Sequence, residues 1–258
     1  MITIDKDYTH HIHILGDATE NNLKLHVKIK TWVFDPPYNI NYNYSKLVDD
    51  NLPQIEYYDY LRKCSKNMIN NSCESANMFH INTPENCTRT LNIFEETGWK
   101  LKQIISWVYS SNKGMSNSKC TNAHRSIFWF VKGEPETYMD AKIQPYKNPN
   151  HPRVEKYIQE GKRGTHLYSW WNIQLRKGNS KDHSGWYNSL PSELVENIIL
   201  LTTKKSEIVG DLNAGGCTTY SNAKRLLRNS VSIDIDPKSK EIFDKLRSQT
   251  TLLKEMIL

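Results

Sequence analysis

Two consecutive prolines, at positions 36 and 37, constrain this chain more than any other feature. Proline lacks a backbone N–H donor and fixes φ, so the pair cannot lie within a helix or a paired strand. The apolar run Trp32-Val33-Phe34 precedes them and is typical of a buried strand. The sequence therefore predicts that a strand ends at Asp35, with an acid and Tyr38 beside the break. In open α/β sheets this carboxyl edge is where ligands bind, although Asp-Pro pairs also occur in ordinary turns.

A second pattern lies far along the chain, at residues 207–236. A short apolar run leads into Asp211-Leu212-Asn213-Ala214-Gly215-Gly216-Cys217-Thr218-Thr219, and a predicted helix and a second strand follow. The glycines allow a ligand to approach the backbone, and the helix start offers free N–H groups. Asp234 ends the second strand, about twenty residues after the turn, where an acid can accept both ribose hydroxyls. The pattern predicts half of a nucleotide-binding βαβ unit.

Hydrophobic periodicity places further elements along the chain. We expect strands at 11–15, 31–34, 76–81, 104–109, 126–131, 207–209 and 231–236. We expect helices at 55–69, 91–97, 192–202, 220–228 and 238–256, with a short additional helix within 18–28. Residues 39–54 have the composition of a loop.

Residues 134–182 differ from the rest because they combine prolines, aromatic residues and basic residues without clear periodicity. Basic residues supply charge for phosphates and aromatic rings supply faces for bases, so the segment is a candidate nucleic-acid surface. The alternative is a solvated insertion. The candidate DNA contacts are Asn39, Lys142, Lys147, Arg153, Lys162, Arg163, Arg176 and Lys177.

The bulk composition excludes several classes of protein. The chain has 258 residues and a net charge of +6, which permits a polyanionic partner without requiring one. Its five cysteines form no Cys-x-x-Cys pair, so we expect reduced thiols, no zinc site and a cytoplasmic location. The polar start is unlike a signal peptide, and no apolar run approaches membrane-spanning length. The histidines at 10, 11 and 13 lack an evident acidic partner, so we expect solvated or packed side chains there.

Taken together, these segments resemble the β-class amino-methyltransferases of DNA. Their order matches that class: Asp-Pro-Pro-Tyr comes first, a target-recognition region next, and the Gly-rich motif last. Residues 104–109 and 124–133 resemble the middle motifs of the class. The resemblance implies a doubly wound, seven-stranded α/β methyltransferase sheet that is circularly permuted. It divides the chain into a catalytic half at 1–133, a target-recognition insertion at 134–182 and a cofactor-binding half at 183–258.

The resemblance also implies roles for individual residues. The methyl donor is S-adenosylmethionine (SAM), held by Asp17, Asp35, Asp211, Asn213, Ala214, Gly215, Gly216, Thr218, Thr219 and Asp234. The catalytic residues are Asp35, Pro36, Pro37 and Tyr38. The Asp35 carboxylate and the Pro36 carbonyl would accept the hydrogens of an exocyclic amino group, and the flipped base would stack on Tyr38. No metal is required. The implied partners are double-stranded DNA, a second copy of the chain and a cognate restriction endonuclease.

Three single residues and one segment depart from the pattern of the class. Asn213 replaces an aromatic residue, and Cys217 replaces a glycine. The segment Trp186-Tyr187-Asn188-Ser189-Leu190-Pro191 retains only the last proline of its motif, and Arg125 stands where an acid is common. We favour adenine N6 as the methyl acceptor, because Asp at the head of the turn accompanies adenine and Ser accompanies cytosine N4. The alternatives are an N4-cytosine enzyme, a DNA-binding subunit that has lost SAM, and an unrelated nucleotide-binding α/β protein.

Overall fold

The computed structural model describes residues 9–42, 44, 47–110, 117–118, 120–176, 186 and 188–255. The strands are β1 (His11–Leu15), β2 (Ile29–Phe34), β3 (Ser72–Asn82), β4 (Lys100–Val108), β5 (His124–Lys132), β6 (Ile143–Gln144), β7 (Thr165–His166), β8 (Trp170–Asn172), β9 (Ile208–Asp211) and β10 (Asn229–Asp234). The helices are α1 (Gln54–Asn70), α2 (Pro84–Glu96), α3 (Pro152–Gln159), α4 (Ser192–Thr202), α5 (Thr218–Arg225) and α6 (Pro237–Glu255), with a 3-10 turn at Met139–Ala141. No helix within these ranges combines the length and the apolar character that crossing a bilayer requires.

Among the described residues, eight strands form one sheet in the order β1-β10-β9-β2-β3-β5-β4-β8. Only β5 runs against the others, since it is antiparallel to both β3 and β4. The strand β9 lies between β10 and β2, and Val33 of β2 is in register with Asp211 of β9. The predicted strand-to-turn breaks at the two ends of the chain therefore meet at one edge of the sheet, as circular permutation requires.

The sheet is buried on both faces, and β2 demonstrates how its sequence achieves this. Trp32 and Phe34 pack into the apolar layer beneath α1 and α2, whereas Val33 packs into the layer beneath α4. This alternation follows from the two-residue period of a strand. At Gly210 of β9, an added Cβ would lie 2.4 Å from the Trp32 ring, so glycine permits the close contact between β9 and β2.

The predicted short helix within residues 18–28 is wrong, because this segment forms turns. The side-chain amides of Asn67 in α1 and of Asn71 at its C-cap supply hydrogen bonds to this segment in place of helical ones. Asn67 donates to the carbonyl oxygens of Ala18 and Glu20, and Asn71 donates to that of Leu23. These tertiary bonds override the local helical preference.

The insertion also contributes more to the fold than its lack of periodicity indicates. It contains α3, the antiparallel pair β6 and β7, and β8, which adds an eighth strand to the expected seven by pairing with β4. Trp171 of β8 is buried, and Trp107 of β4 donates its indole N–H to the Ile173 carbonyl at 2.7 Å. The three-part domain division stays a prediction, and its second boundary falls among residues outside the described ranges.

The other predicted elements are present, with errors mainly at their ends. The helix at 192–202 matches α4, whereas α2 begins seven residues before the predicted start at 91. Thr83 caps α2 by accepting a hydrogen bond from the Asn86 backbone N–H, and Pro84 occupies the first turn. Gly98 follows this helix with a φ of +105°, as expected of a glycine that ends a helix.

Candidate active site

One cleft lies at the carboxyl ends of β2, β9 and β10, where the strand order brings the two predicted constellations together. Its lining includes ten of the predicted site residues: Asp35, Pro37, Asp211, Asn213, Ala214, Gly215, Gly216, Thr218, Thr219 and Asp234. Asp17 and Asn39 line an adjoining pocket, which shares Pro37, Val48, Asn213 and Ile235 with the cleft. Pro36 and Tyr38 are buried and are not among the residues that line the cleft.

Three hydrogen bonds hold the proline turn in place. The Tyr38 hydroxyl donates to Asp35 Oδ1 at 2.6 Å, and the Tyr57 hydroxyl of α1 donates to the Pro37 carbonyl at 2.9 Å. Asn86 of α2 donates to the Tyr38 carbonyl. Burial raises the pKa of Asp35 to about 6, although Arg125 and the Tyr38 hydrogen bond oppose this rise. The turn therefore presents a weakly acidic carboxyl group in a fixed position.

The Gly-rich turn is ordered by two further carboxylates. Asp211 accepts hydrogen bonds from the Asn213 backbone N–H at 3.0 Å and from the Thr219 hydroxyl at 2.6 Å. Asp234 accepts one from the Gly215 backbone N–H at 2.7 Å. Burial raises the pKa of Asp211 to about 7 and also raises the pKa of Asp234. This concentration of acids suits a cationic ligand.

The two departures from the expected Gly-rich motif have structural explanations. Cys217 has a φ of +58°, the left-handed conformation in which glycine is usual, and its buried thiol contacts the Ser239 carbonyl. Holding a non-glycine residue there costs about 1–2 kcal/mol. Asn213 exchanges hydrogen bonds with the Tyr60 hydroxyl of α1, at 2.9 and 3.2 Å. The amide thereby connects the Gly-rich turn to α1.

Sequence reasoning gave no role to several residues that lie at the site. The Trp186 indole packs on Gly215, since a Cβ added there would come within 3.0 Å of Trp186 Nε1. Arg125 lies over the Tyr38 ring. Asp50 accepts hydrogen bonds from the backbone N–H groups of Asn39, Ile40 and Tyr42 and so orders the start of the loop. In the sequence, only the departures from the family pattern at Arg125 and at the segment beginning with Trp186 pointed to these residues.

The predicted DNA contacts are dispersed. Lys147 lies 5.4 Å from the Trp170 ring centroid, Arg153 and Lys162 flank the Tyr157 ring, and Arg163 is exposed. Three others make contacts within the chain: Asn39 binds the Leu52 backbone, Lys142 pairs with Glu196 at 2.8 Å, and Arg176 donates to Thr218 at 3.4 Å. Lys177 lies outside the described residues.

The histidines and cysteines have structural environments. His11 and His13 are packed, each against a serine hydroxyl, Ser230 and Ser239 respectively. The five cysteines are free thiols. Within the described ranges, no group of three His, Cys, Asp or Glu side chains is arranged to hold a metal ion.

This site and fold define a methyltransferase-type α/β protein, and comparisons with known proteins specify the family. The model of the N6/N4 methyltransferases, described as DNA methylase, matches residues 29–245. The chain therefore belongs to the N6/N4 family of DNA methylases.

Individual relatives agree with this assignment. The type II methyltransferase M.BglII of Bacillus subtilis is 27% identical over 87% of this chain, which spans 63% of that relative. M1.MboII of Moraxella bovis is 21% identical, covering 92% of this chain and 94% of the relative. Among solved structures, the cytosine-N4-specific PvuII DNA methyltransferase superposes with a TM-score of 0.68 at 17% identity, covering 90% of this chain and 86% of that one. The M1.HpyAVI–SAM complex superposes with a TM-score of 0.61 at 17% identity, covering 91% of this chain and 98% of that one.

Proposed function

We propose that this chain transfers a methyl group from SAM to the N6 amino group of adenine in a specific sequence of double-stranded DNA. One observation carries the proposal: Asp35 and the glycines at 215 and 216 line the same cleft. A methyl donor and an acceptor base must meet in one cavity, and the two constellations supply one subsite each.

The chemistry of the cleft lining fits SAM. Gly215 has a φ of +45°, a conformation that favours glycine, and the Trp186 indole packs closely on it. Asp234 would accept the ribose hydroxyls, Asp17 and Ile235 would border the adenine, and Gly216, Thr218 and Thr219 would border the methionine part. When bound, SAM supplies a methyl group on a positively charged sulfur.

The proline turn would prepare the amino group of the base. An exocyclic nitrogen is a weak nucleophile because its lone pair is conjugated with the ring. Among the described residues, nothing donates a hydrogen bond to Asp35 Oδ2 or to the Pro36 carbonyl, so both are available as acceptors. Accepting the two amino hydrogens would localise the lone pair on nitrogen and orient it for in-line attack on the methyl carbon. As the N–C bond forms, the C–S bond would break to leave a neutral thioether, and the nitrogen would release one proton to Asp35 or to solvent. The prolines fix the direction of that carbonyl.

Base stacking on Tyr38 requires a rearrangement. The Tyr38 side chain is only 4% exposed, and the Arg125 guanidinium lies 4.7 Å from its ring centroid. A flipped base would have to uncover the ring face opposite Arg125 on entry, so that the guanidinium keeps its contact with Tyr38. The energy of stacking a base on an aromatic ring, about 1–3 kcal/mol, is available for such a change.

Adenine is proposed because Asp35 heads the turn, as the family resemblance implies. The likeness to the cytosine-N4 enzyme concerns the fold, since only 17% of residues are identical. The restriction endonuclease partner and the homodimer likewise stay proposals.

Nucleoside mass spectrometry tests the proposal. Purified protein and deuteromethyl-SAM are incubated with unmethylated DNA, and the digest is analysed for labelled bases. We expect labelled N6-methyladenine. Labelled N4-methylcytosine would support the cytosine alternative instead. If no base is labelled and calorimetry detects no SAM binding, the result would favour the DNA-binding subunit.

A further inference from the structure

Arg125 of β5 occupies an unusual position for a cation. Its guanidinium carbon lies 4.7 Å from the ring centroid of Tyr38 and 5.3 Å from that of Trp107, which pairs with Arg125 across the β4–β5 ladder. Its Nη1 donates to the Tyr38 hydroxyl at 3.0 Å. The planar group therefore contacts two rings and one hydroxyl, which a lysine ammonium could not reproduce.

The hydroxyl that accepts from Arg125 also donates to Asp35 Oδ1, at 2.6 Å. The three side chains thus form a continuous chain of hydrogen bonds from the sheet to the catalytic carboxylate. Engaging Oδ1 fixes the rotation of the carboxylate and leaves Oδ2 as the oxygen that can accept from a base. Within the described residues, Arg125 forms no direct ion pair with Asp35 and reaches it through the Tyr38 hydroxyl.

We propose that Arg125 is a positioning residue: through the Tyr38 hydroxyl, it holds the Asp35 carboxylate ionised and turned so that Oδ2 faces the incoming amino group. This inference rests on the proposed methyl transfer, but it does not depend on which base is methylated. The role belongs to a residue that stands where an acid is common in the family.

The electrostatics around Asp35 support the inference. Charged or titratable groups face Asp35 from three elements. Arg125 lies on β5, Asp211 lies on β9, and Tyr38 and Tyr44 lie in the loop after β2. Burial raises the pKa of Asp35 to about 6, and Arg125 is the largest influence in the opposite direction. Burial also opposes the charge on Arg125, but Tyr38 and Asp35 outweigh it and raise the pKa of Arg125. The cation therefore keeps Asp35 ionised near neutral pH.

Single-turnover methyl transfer across pH 5.5–9 tests this role, with SAM and DNA saturating. The variants are Arg125→Met, Tyr38→Phe, their double mutant, and Arg125→Lys. The control is Arg62→Met, an arginine of α1 that is ion-paired with Glu96 at 3.6 Å outside the cleft. Thermal unfolding and calorimetric SAM binding establish that each variant is folded.

We expect Arg125→Met to slow transfer at least about tenfold, because a preorganised donor is lost. The acid limb of its pH–rate profile, where the rate falls with decreasing pH, should move up by about one pH unit, as expected for loss of a nearby opposite charge. The double mutant should be no slower than the slower single variant, because both substitutions interrupt the same chain. Arg125→Lys should restore the acid limb without restoring the rate.

Three results would overturn the inference. The first is an unchanged rate and acid limb in Arg125→Met, and the second is multiplicative losses in the double mutant. The third, from single turnovers at varied DNA concentration, is a higher half-saturating DNA concentration with an unchanged maximal rate, which would make Arg125 a DNA contact. A titration of the Asp35 carboxyl by ¹³C NMR, assigned with Asp35→Asn, needs no activity. An equal Asp35 pKa in wild type and Arg125→Met would refute the inference even if the protein methylated nothing. Methylation of cytosine instead would overturn the adenine proposal alone.

Discussion

At the scale of single residues, the site depends on carboxylates that burial makes weak acids. Asp35, Asp211 and Asp234 all have pKa values raised primarily by burial. Each accepts at least one hydrogen bond that holds a neighbouring turn, so each residue orders the backbone as well as contributing charge. Such placement is costly for folding and favourable for binding a cation, as expected at a functional site.

Asp35→Ala should abolish methyl transfer and leave SAM binding nearly unchanged, because the proposed acceptor of the amino hydrogens is removed while the Gly-rich turn is intact. Label incorporation and calorimetry measure the two properties. In wild type, activity should decline as the pH falls through about 6, because protonation removes the acceptor. Equal loss of transfer and SAM binding in the variant would mean that Asp35 has a structural role.

Asp211→Asn should alter how stability depends on pH. Burial raises the pKa of Asp211 to about 7, so the folded state binds more protons than the unfolded state between about pH 4 and 7. This group therefore makes wild type less stable as the pH rises through that window. The variant should gain stability relative to wild type as the pH rises from 5 to 8, by no more than about 3 kcal/mol at 1.4 kcal/mol per pKa unit. Urea unfolding at pH 5 and pH 8 measures the difference, and a pH-independent difference would contradict the assignment.

At the scale of elements, the sequence predicted most strands because their apolar runs are dense. It could not predict the turns at 18–28, since Asn67 and Asn71 are distant in sequence and supply the hydrogen bonds that decide that segment. It also missed β8, because three residues, of which only Trp171 is buried, give no periodic signal.

The neighbouring tryptophans of β8 should respond differently to truncation. Trp171 is 4% exposed and packs beneath α4, so Trp171→Ala should destabilise the protein by about 3–5 kcal/mol in urea unfolding. Trp170 is 39% exposed, stacks on Tyr168 and lies beside Lys147. Trp170→Ala should leave stability nearly unchanged and weaken DNA binding. Equal destabilisation by the two variants would mean that β8 is not paired as described.

At the scale of the whole molecule, the order of the motifs was the strongest sequence signal. It predicted that distant segments meet, and the register of Val33 with Asp211 agrees. The same order carries no information on Arg125 and Trp186, because their positions depend on how side chains pack at the cleft. The catalytic turn and the Gly-rich turn were therefore predictable, and the residues that support them were not.

DNA affinity should fall steeply with salt if the basic insertion contacts phosphates. Four contacts, from Lys147, Arg153, Lys162 and Arg163, would reduce affinity roughly a hundredfold between 50 and 200 mM salt. Arg163→Met should lower the slope of log affinity against log salt by about one. Lys66→Met, at an exposed position of α1, should leave that slope unchanged. A slope unaffected by Arg163→Met would exclude this residue from the interface.

We propose that one cleft serves both the methyl donor and the acceptor base. A crystal structure of the protein with SAM tests it most directly, through the distance between the sulfonium methyl carbon and the Asp35 carboxylate. We expect the ribose on Asp234, the methionine part along Gly215 and Gly216, and the methyl group directed toward Asp35. SAM bound elsewhere, or with its methyl group directed away from the proline turn, would contradict it.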